Sequence, residues 1–154
     1  MRTQTQKFIS YLQDNSIDII EMTVQEQEEH KQEWFRNFIP SEKRQQAIDG
    51  HCFDKDDYCG YLWHVFSYNI LDYLSNREAE SAFDCVSKSD AILLVNWPER
   101  DGIASCRLKN ISNITANILA LLTDVILTDS DFSWTYVKTH ESKYGPYFHT
   151  TCKN

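Results

Sequence analysis

The densest grouping of chemistry-bearing residues is Thr139-His-Glu141. A histidine beside a carboxylate can work as an acid/base group near neutral pH, or as a polar anchor for a ligand. The pair closes a run, residues 132–139, that reads as a strand. A period of two puts Phe132, Trp134, Tyr136, Lys138 and His140 on one face and Thr135, Val137, Thr139 and Glu141 on the other. Adjacent side chains on extended backbone point apart, so His140 and Glu141 are not expected to bond each other. His64 is the second candidate, on an expected strand over residues 62–68 that it shares with Leu62, Phe66 and Tyr68. Were the two strands neighbours, His64 and His140 would converge with Trp134 and Tyr136 in a pocket with an apolar wall and few polar groups. The candidate binding residues are therefore His64, Trp134, Tyr136, His140 and Glu141. The structural alternative is a satisfied core histidine at 64, with His140 and Glu141 serving the turn backbone.

Other chemistries find less support. Cys52 and Cys59 are seven apart, outside the usual spacing of a structural zinc site, and neither His51-Cys52 nor His149 with Cys152 has a recognisable companion. The loop Asp54-Lys-Asp-Asp57 loosely resembles a calcium loop, but Gly60 comes one place late and no bidentate glutamate follows. No H-E-x-x-H, G-x-S-x-G, dinucleotide fingerprint or P-loop occurs. Ser67 lies three residues from His64, on the opposite face of a strand. Cys85 and Cys106 read as buried small hydrophobes. No metal, cofactor or catalytic residue is expected.

These residues need elements to position them. All eight glutamines fall in the first 50 residues, which suits a polar helical cap over a β-rich body spanning 51–154 with two helices. Residues 4–14 place Phe8, Ile9, Tyr11 and Leu12 on one side of a helix. Thr23-Val-Gln-Glu26 is a capping box for a helix reaching Ile39, where Pro40 stops it. Its second half carries Trp34, Phe35 and Phe38; its first half, residues 25–30, is polar all round and should project into water. Ser41 starts a short helix through Ile48. Ser75-Asn-Arg-Glu78 caps a helix carrying Ala79, Ala82, Phe83 and Val86. Residues 91–97 form a continuous apolar run, as expected of a central strand covered on both faces. Residues 103–108 make a neighbouring strand, 112–122 a helix, and 125–128 with 132–139 a hairpin. Gly145-Pro146 turns the chain into a short edge segment at Tyr147-Phe148. The order predicts one α+β layered domain over residues 1–154, with a mainly antiparallel or mixed sheet packed by helices.

A chain of 154 residues with 15 Lys+Arg against 23 Asp+Glu carries a net charge of −8, which lacks the basic footprint of a nucleic-acid binder. No apolar stretch approaches the roughly 20 residues needed to span a bilayer, and the N-terminus has no apolar signal region. Five irregularly spaced cysteines fit free thiols in a reducing cytosol, and the Asn110 and Asn113 sequons then have no consequence.

Four segments carry a family resemblance: Leu62-Trp-His-Val-Phe-Ser-Tyr68, Arg77-Glu-Ala-Glu-Ser-Ala-Phe-Asp84, Asp131-Phe-Ser-Trp-Thr-Tyr-Val-Lys-Thr-His-Glu141 and Gly145-Pro-Tyr-Phe148. In this order the chain resembles a small family, found mainly in Bacillus-type bacteria and catalogued only as a domain of unknown function. The resemblance covers essentially the whole chain and implies a cytosolic bacterial protein with a compact α+β fold. It implies no activity, ligand or catalytic residue.

The expectation is a non-enzymatic cytosolic protein that binds a partner protein or a small ligand. A small hydrolase or isomerase using His64, His140 and Glu141 is the competing class. An acidic antitoxin or immunity-type protein is a third, resting on size and charge. The polar half of the front helix is a further possible docking face.

Overall fold

The computed structural model describes residues 3–52, 62–141 and 143–151. Helix α1 (Gln4–Asp14) opens on Thr3, whose hydroxyl accepts from the Gln6 N–H while the Gln6 side chain accepts from the Thr3 N–H. Strand β1 (Asp18–Glu21) follows. Helix α2 (Val24–Phe38) opens on the same device: Thr23 and Glu26 bond reciprocally at 3.1 Å. It ends where Ile39, the residue before Pro40, swings into extended backbone. A 3₁₀ turn (Ser41–Lys43) leads into α3 (Arg44–Asp49). The remaining elements are α4 (His64–Ser67), β2 (Leu74–Ser75), α5 (Asn76–Cys85), β3 (Asp90–Val95), α6 (Pro98–Asp101), β4 (Cys106–Lys109), α7 (Ala116–Leu119), β5 (Val125–Asp129), β6 (Trp134–Lys138) and β7 (Tyr147–Thr150).

The seven strands form one sheet in the order β1-β4-β3-β5-β6-β7-β2, antiparallel at every pairing. The fold is α+β, as the sequence implies. Helices cover both faces. Leu93, Val95, Leu127, Trp134 and Tyr136 pack with Phe8 and Leu12 of α1 and Ala79 and Phe83 of α5. On the other face Leu94, Ile126 and Val137 meet Trp34, Phe35 and Phe38 of α2 and Val65 and Phe66 of α4. The alternation along β3, β5 and β6 divides these two cores, so the continuous apolar run at 91–95 is a central strand buried on both sides. Each fully buried Leu or Phe here contributes about 1.5–3 kcal/mol relative to exposure.

Several sequence expectations need correction. Residues 62–68 form no strand; α4 is a helical turn. Leu62, Val65 and Phe66 recur at helical spacing, and all three are fully buried against the α2 side of the sheet. Packing of that stripe overrides the strand preference of its aromatic and β-branched residues. The front half of α2 lies mostly at the surface, with Gln25 and Glu29 exposed and Glu26, Gln27 and Glu28 partly exposed, but His30 at its end and Lys31 after it are buried. The stripe His30–Trp34–Phe38, spaced by four, runs back toward the helix start, and the His30 ring stacks on Phe132 with centroids 5.4 Å apart. Lys31 pairs with Glu28 at 3.2 Å.

The expected helix over 112–122 is regular only over α7, with three-residue turns at Ile111–Ile114 and Ile118–Leu121 on either side. The strand expected at 103–108 is shifted to β4. Ser75 precedes α5, but its side chain makes no capping bond. Tyr147 and Phe148 are not at an edge, since β2 pairs outside β7. The true far edge, β1, carries exposed Ile19 and Ile20 flanked by Asp18 and Glu21, so no inside–outside alternation marks it in the sequence. Cys85 is exposed, unlike Cys52 and Cys106. Burial pushes the Cys52 thiol up to about 11 and the Cys106 thiol up to about 12. Cys59, Cys152, Gly60 and the acidic loop at 54–57 lie outside the described residues.

Candidate functional site at the Asp124 end of the sheet

The β5–β6 hairpin pairs Val125 with Lys138, and continuing that register by one residue sets Asp124 opposite Thr139 and next to His140. Asp124 is 5% exposed and its carboxylate is fully engaged. Oδ1 accepts the backbone N–H of His140 at 3.1 Å. Oδ2 accepts Nδ1–H of the same residue at 2.5 Å and the indole N–H of Trp97 at 3.0 Å. Three donors thus take the place of water around this buried carboxylate. A second buried carboxylate, Asp101 at the end of α6, accepts the N–H and hydroxyl of Thr123. Lys138 bridges the two carboxylates' surroundings, donating to the Thr123 carbonyl at 3.2 Å. Burial pulls its ammonium below the usual lysine range, and the charges of Asp124 and Asp101 oppose that shift.

His140 is half-exposed, and its other ring nitrogen lies 3.5 Å from Glu141 Oε1. The contact that extended backbone would forbid exists because β6 stops at Lys138, leaving residues 139–141 in a turn. Thr139 ties that turn: its hydroxyl donates to the Tyr144 carbonyl at 2.5 Å and accepts the Glu141 N–H at 3.2 Å. Each ring nitrogen of His140 therefore faces a carboxylate, one buried and one at the surface.

His64 approaches from α4. Its Nδ1 is 2.9 Å from Ser67 Oγ, a contact made by the helical turn that a strand would have prevented. The ring lies between Trp63, at 3.8 Å, and Tyr68, nearly parallel at 4.6 Å. Burial lowers the His64 pKa, and the negative charge of Glu141 partly restores it. Glu141 is thus the group that acts on both histidines.

Trp134 and Tyr136 do not join this site. Alternation along β6 sends both to the opposite core, where each is 2% exposed and packs on Phe83 at 5.6 and 4.5 Å. The aromatic wall foreseen for the pocket is built from other rings. Trp97 (38% exposed) shares the Asp124 carboxylate with His140, Tyr68 (52%) stacks on His64, and Tyr144 (44%), whose carbonyl accepts from Thr139, meets Trp63, which in turn meets His64. Arg100 sits over the Trp97 ring at 6.0 Å. Sequence reasoning missed Asp124 and Trp97. No local pattern announces the first: it follows from the observed hairpin register, which sets Asp124 opposite Thr139 and next to His140.

Among the described residues, no three His, Cys, Asp or Glu side chains are grouped to hold a metal ion. No helix among them is long and apolar enough to cross a membrane. No curated protein and no solved structure matches the chain. The model of one family, described as a domain of unknown function (DUF4275), does match, over residues 6–148, and the chain belongs to that family.

Proposed function

We propose that the chain is a bacterial cytosolic binding protein that recognises a cation-bearing segment of a partner protein at the surface around His140 and Glu141. The observation that carries this reading is the surface carboxylate of Glu141 beside His140, with the exposed Trp97 sharing Asp124 with that histidine and the exposed Tyr144 tied by its carbonyl to Thr139. Partly exposed aromatic rings are the commonest anchors of protein interfaces, and ring faces beside a carboxylate suit a lysine or arginine side chain. The net charge of −8 favours approach of such a partner. Asp124 makes the surface rigid, because it fixes the Trp97 indole and the His140 ring through one carboxylate. Among the described residues Cys52, Cys85 and Cys106 are free, which agrees with a reducing compartment.

A phage-displayed peptide selection on the immobilised protein tests this reading. Selected peptides should be enriched in Lys or Arg beside an apolar residue. They should bind Trp97→Ala and Glu141→Gln variants about tenfold more weakly, the loss of one charged or aromatic anchor. Peptides without basic residues, or peptides that bind both variants like the parent, would contradict it.

One observation favours a second reading. A buried aspartate orienting a half-exposed histidine is the arrangement of a general acid/base. In that case the partner is a small substrate, and Asp124→Asn would abolish a turnover that a Trp97→Ala variant largely retains.

A further inference from the structure

Away from the Asp124 end, the close of α2 builds a concentration of positive charge that the chain's overall acidity conceals. A cavity of about 320 Å³ is lined there by Arg36, Lys43, Arg44 and His149, with the exposed Asp72 as the one carboxylate among its lining residues, beside an apolar wall that includes Phe38 and Leu71. Two of the cations are fixed by backbone. Arg44 donates through Nε to the Ile39 carbonyl at 3.1 Å and through a terminal nitrogen to the Arg36 carbonyl at 3.0 Å. Lys43 Nζ donates to the Ile70 carbonyl at 2.8 Å. These bonds satisfy carbonyls at the end of α2 and complement its negative pole. They use two of the five N–H groups of Arg44 and one of the three of Lys43.

Among the described residues, no carboxylate lies within ion-pair distance of Arg36, Lys43 or Arg44. In a chain with 23 acidic against 15 basic residues, three cations against one carboxylate, Asp72, on one cavity are a local reversal of sign. His149 adds a fourth nitrogen-bearing group. Only 8% exposed, it must donate Nδ1–H to the Asp72 carbonyl at 2.7 Å, because a carbonyl can only accept. That bond and the edge-on Phe38 ring at 5.8 Å hold the imidazole in place.

We infer that this cavity binds a small-molecule phosphate monoester. Arginine forks match the geometry of a phosphate dianion and lysine adds a point charge, while the wall of Phe38 and Leu71 offers an apolar seat for the organic group of the ester. The volume falls at the small end of the range of ligand sites, which limits the occupant to a compact ester. The site is independent of the aromatic surface around His140 and stands whether or not that surface binds a partner.

Calorimetric titration at low ionic strength with phenyl phosphate, inorganic phosphate and phenol tests the assignment. Phenyl phosphate is expected to bind most tightly, inorganic phosphate several-fold more weakly, and phenol not measurably. Arg36→Gln and Lys43→Gln should each weaken phenyl phosphate about tenfold, the loss of one charge-assisted hydrogen bond. The Arg36 side chain makes no bond to another described residue, so Arg36→Gln should keep the parent melting temperature and report on binding alone. Equal binding of phenol and phenyl phosphate, parent-like affinity in both variants, or no heat from phenyl phosphate at roughly 10 mM would each overturn it.

Discussion

Asp124 grips His140 twice, once through the backbone N–H at 3.1 Å and once through the ring at 2.5 Å. The same carboxylate also takes the Trp97 indole at 3.0 Å. One buried side chain thereby orders the end of β6, the turn after it and the loop after β3.

Replacing that carboxylate should therefore be costly. Asp124→Asn removes the charge and turns an amide N–H toward groups that are already donors. A loss of about 2–4 kcal/mol is expected from urea unfolding, within the range for breaking a buried hydrogen-bonded charge. His140→Ala should cost less, since its half-exposed ring leaves a void open to water. Equal and small effects would mean that Asp124 does not organise this end of the sheet.

The two buried tryptophans make a sharper contrast. Trp34 donates to Thr135 Oγ1 at 3.0 Å, and Thr135 in turn meets Thr128 Oγ1 at 2.9 Å, all within the α2-facing core. Trp134 Nε1 has no acceptor among the described residues. Trp34→Phe should cost about 1–3 kcal/mol more than Trp134→Phe, because only the first leaves a buried hydroxyl pair short of a donor. Unfolding midpoints in urea measure the difference, and equal losses would contradict it.

His30 should give the fold a pH dependence. Burial pulls its pKa from 6.5 to about 4, and neither ring nitrogen has a hydrogen-bond partner among the described residues. The folded chain holds the ring neutral, whereas the unfolded chain takes up a proton below pH 6.5. The contribution is therefore complete above pH 6.5 and is lost as the pH falls toward 4, by up to about 3 kcal/mol. His30→Leu should remove this component, so the stability gap between parent and variant should move in the variant's favour on acidification. A gap that is constant from pH 7 to pH 4.5 would contradict it.

Thiol reactivity should separate the cysteines. Cys85 is exposed, whereas Cys52 and Cys106 are buried with raised pKa values. Under native conditions at pH 7.5 a maleimide should label Cys85 at least about tenfold faster than the other two, as site-resolved mass spectrometry would show. Comparable labelling of Cys106 would indicate that the β4 side of the sheet opens readily.

Much of this architecture is legible from local chemistry. The Thr23–Glu26 box starts α2, Pro40 stops it, the apolar run ending at Val95 becomes the buried central strand, and the β5–β6 hairpin forms, with its turn at 130–133 instead of 129–131. Where the reading fails, packing decides against local preference. Residues 62–68 favour a strand by composition, yet Leu62, Val65 and Phe66 are more effectively buried as a helical stripe. The same failure governed the site, because the turn of α4 sets His64 beside Ser67 and lays its ring between Trp63 and Tyr68. Trp134 and Tyr136 followed the strand period faithfully, but that period carried them to the α5 side, away from His64. His140 and Glu141 follow the end of β6, where the His140 ring meets Asp124 and Glu141 instead of the turn backbone, and the partner Asp124 depended on a register that no local pattern announces.

The indole N–H resonances provide the most direct test of recognition at the His140 surface. Four tryptophans give four signals, and two of them, Trp34 and Trp134, belong to buried cores. On titration with a lysine-bearing peptide from the phage selection, the Trp97 and Trp63 signals should shift while those of Trp34 and Trp134 stay in place. Movement of the core signals with Trp97 and Trp63 unmoved, or no movement at any of the four at saturating peptide, would contradict binding at this surface.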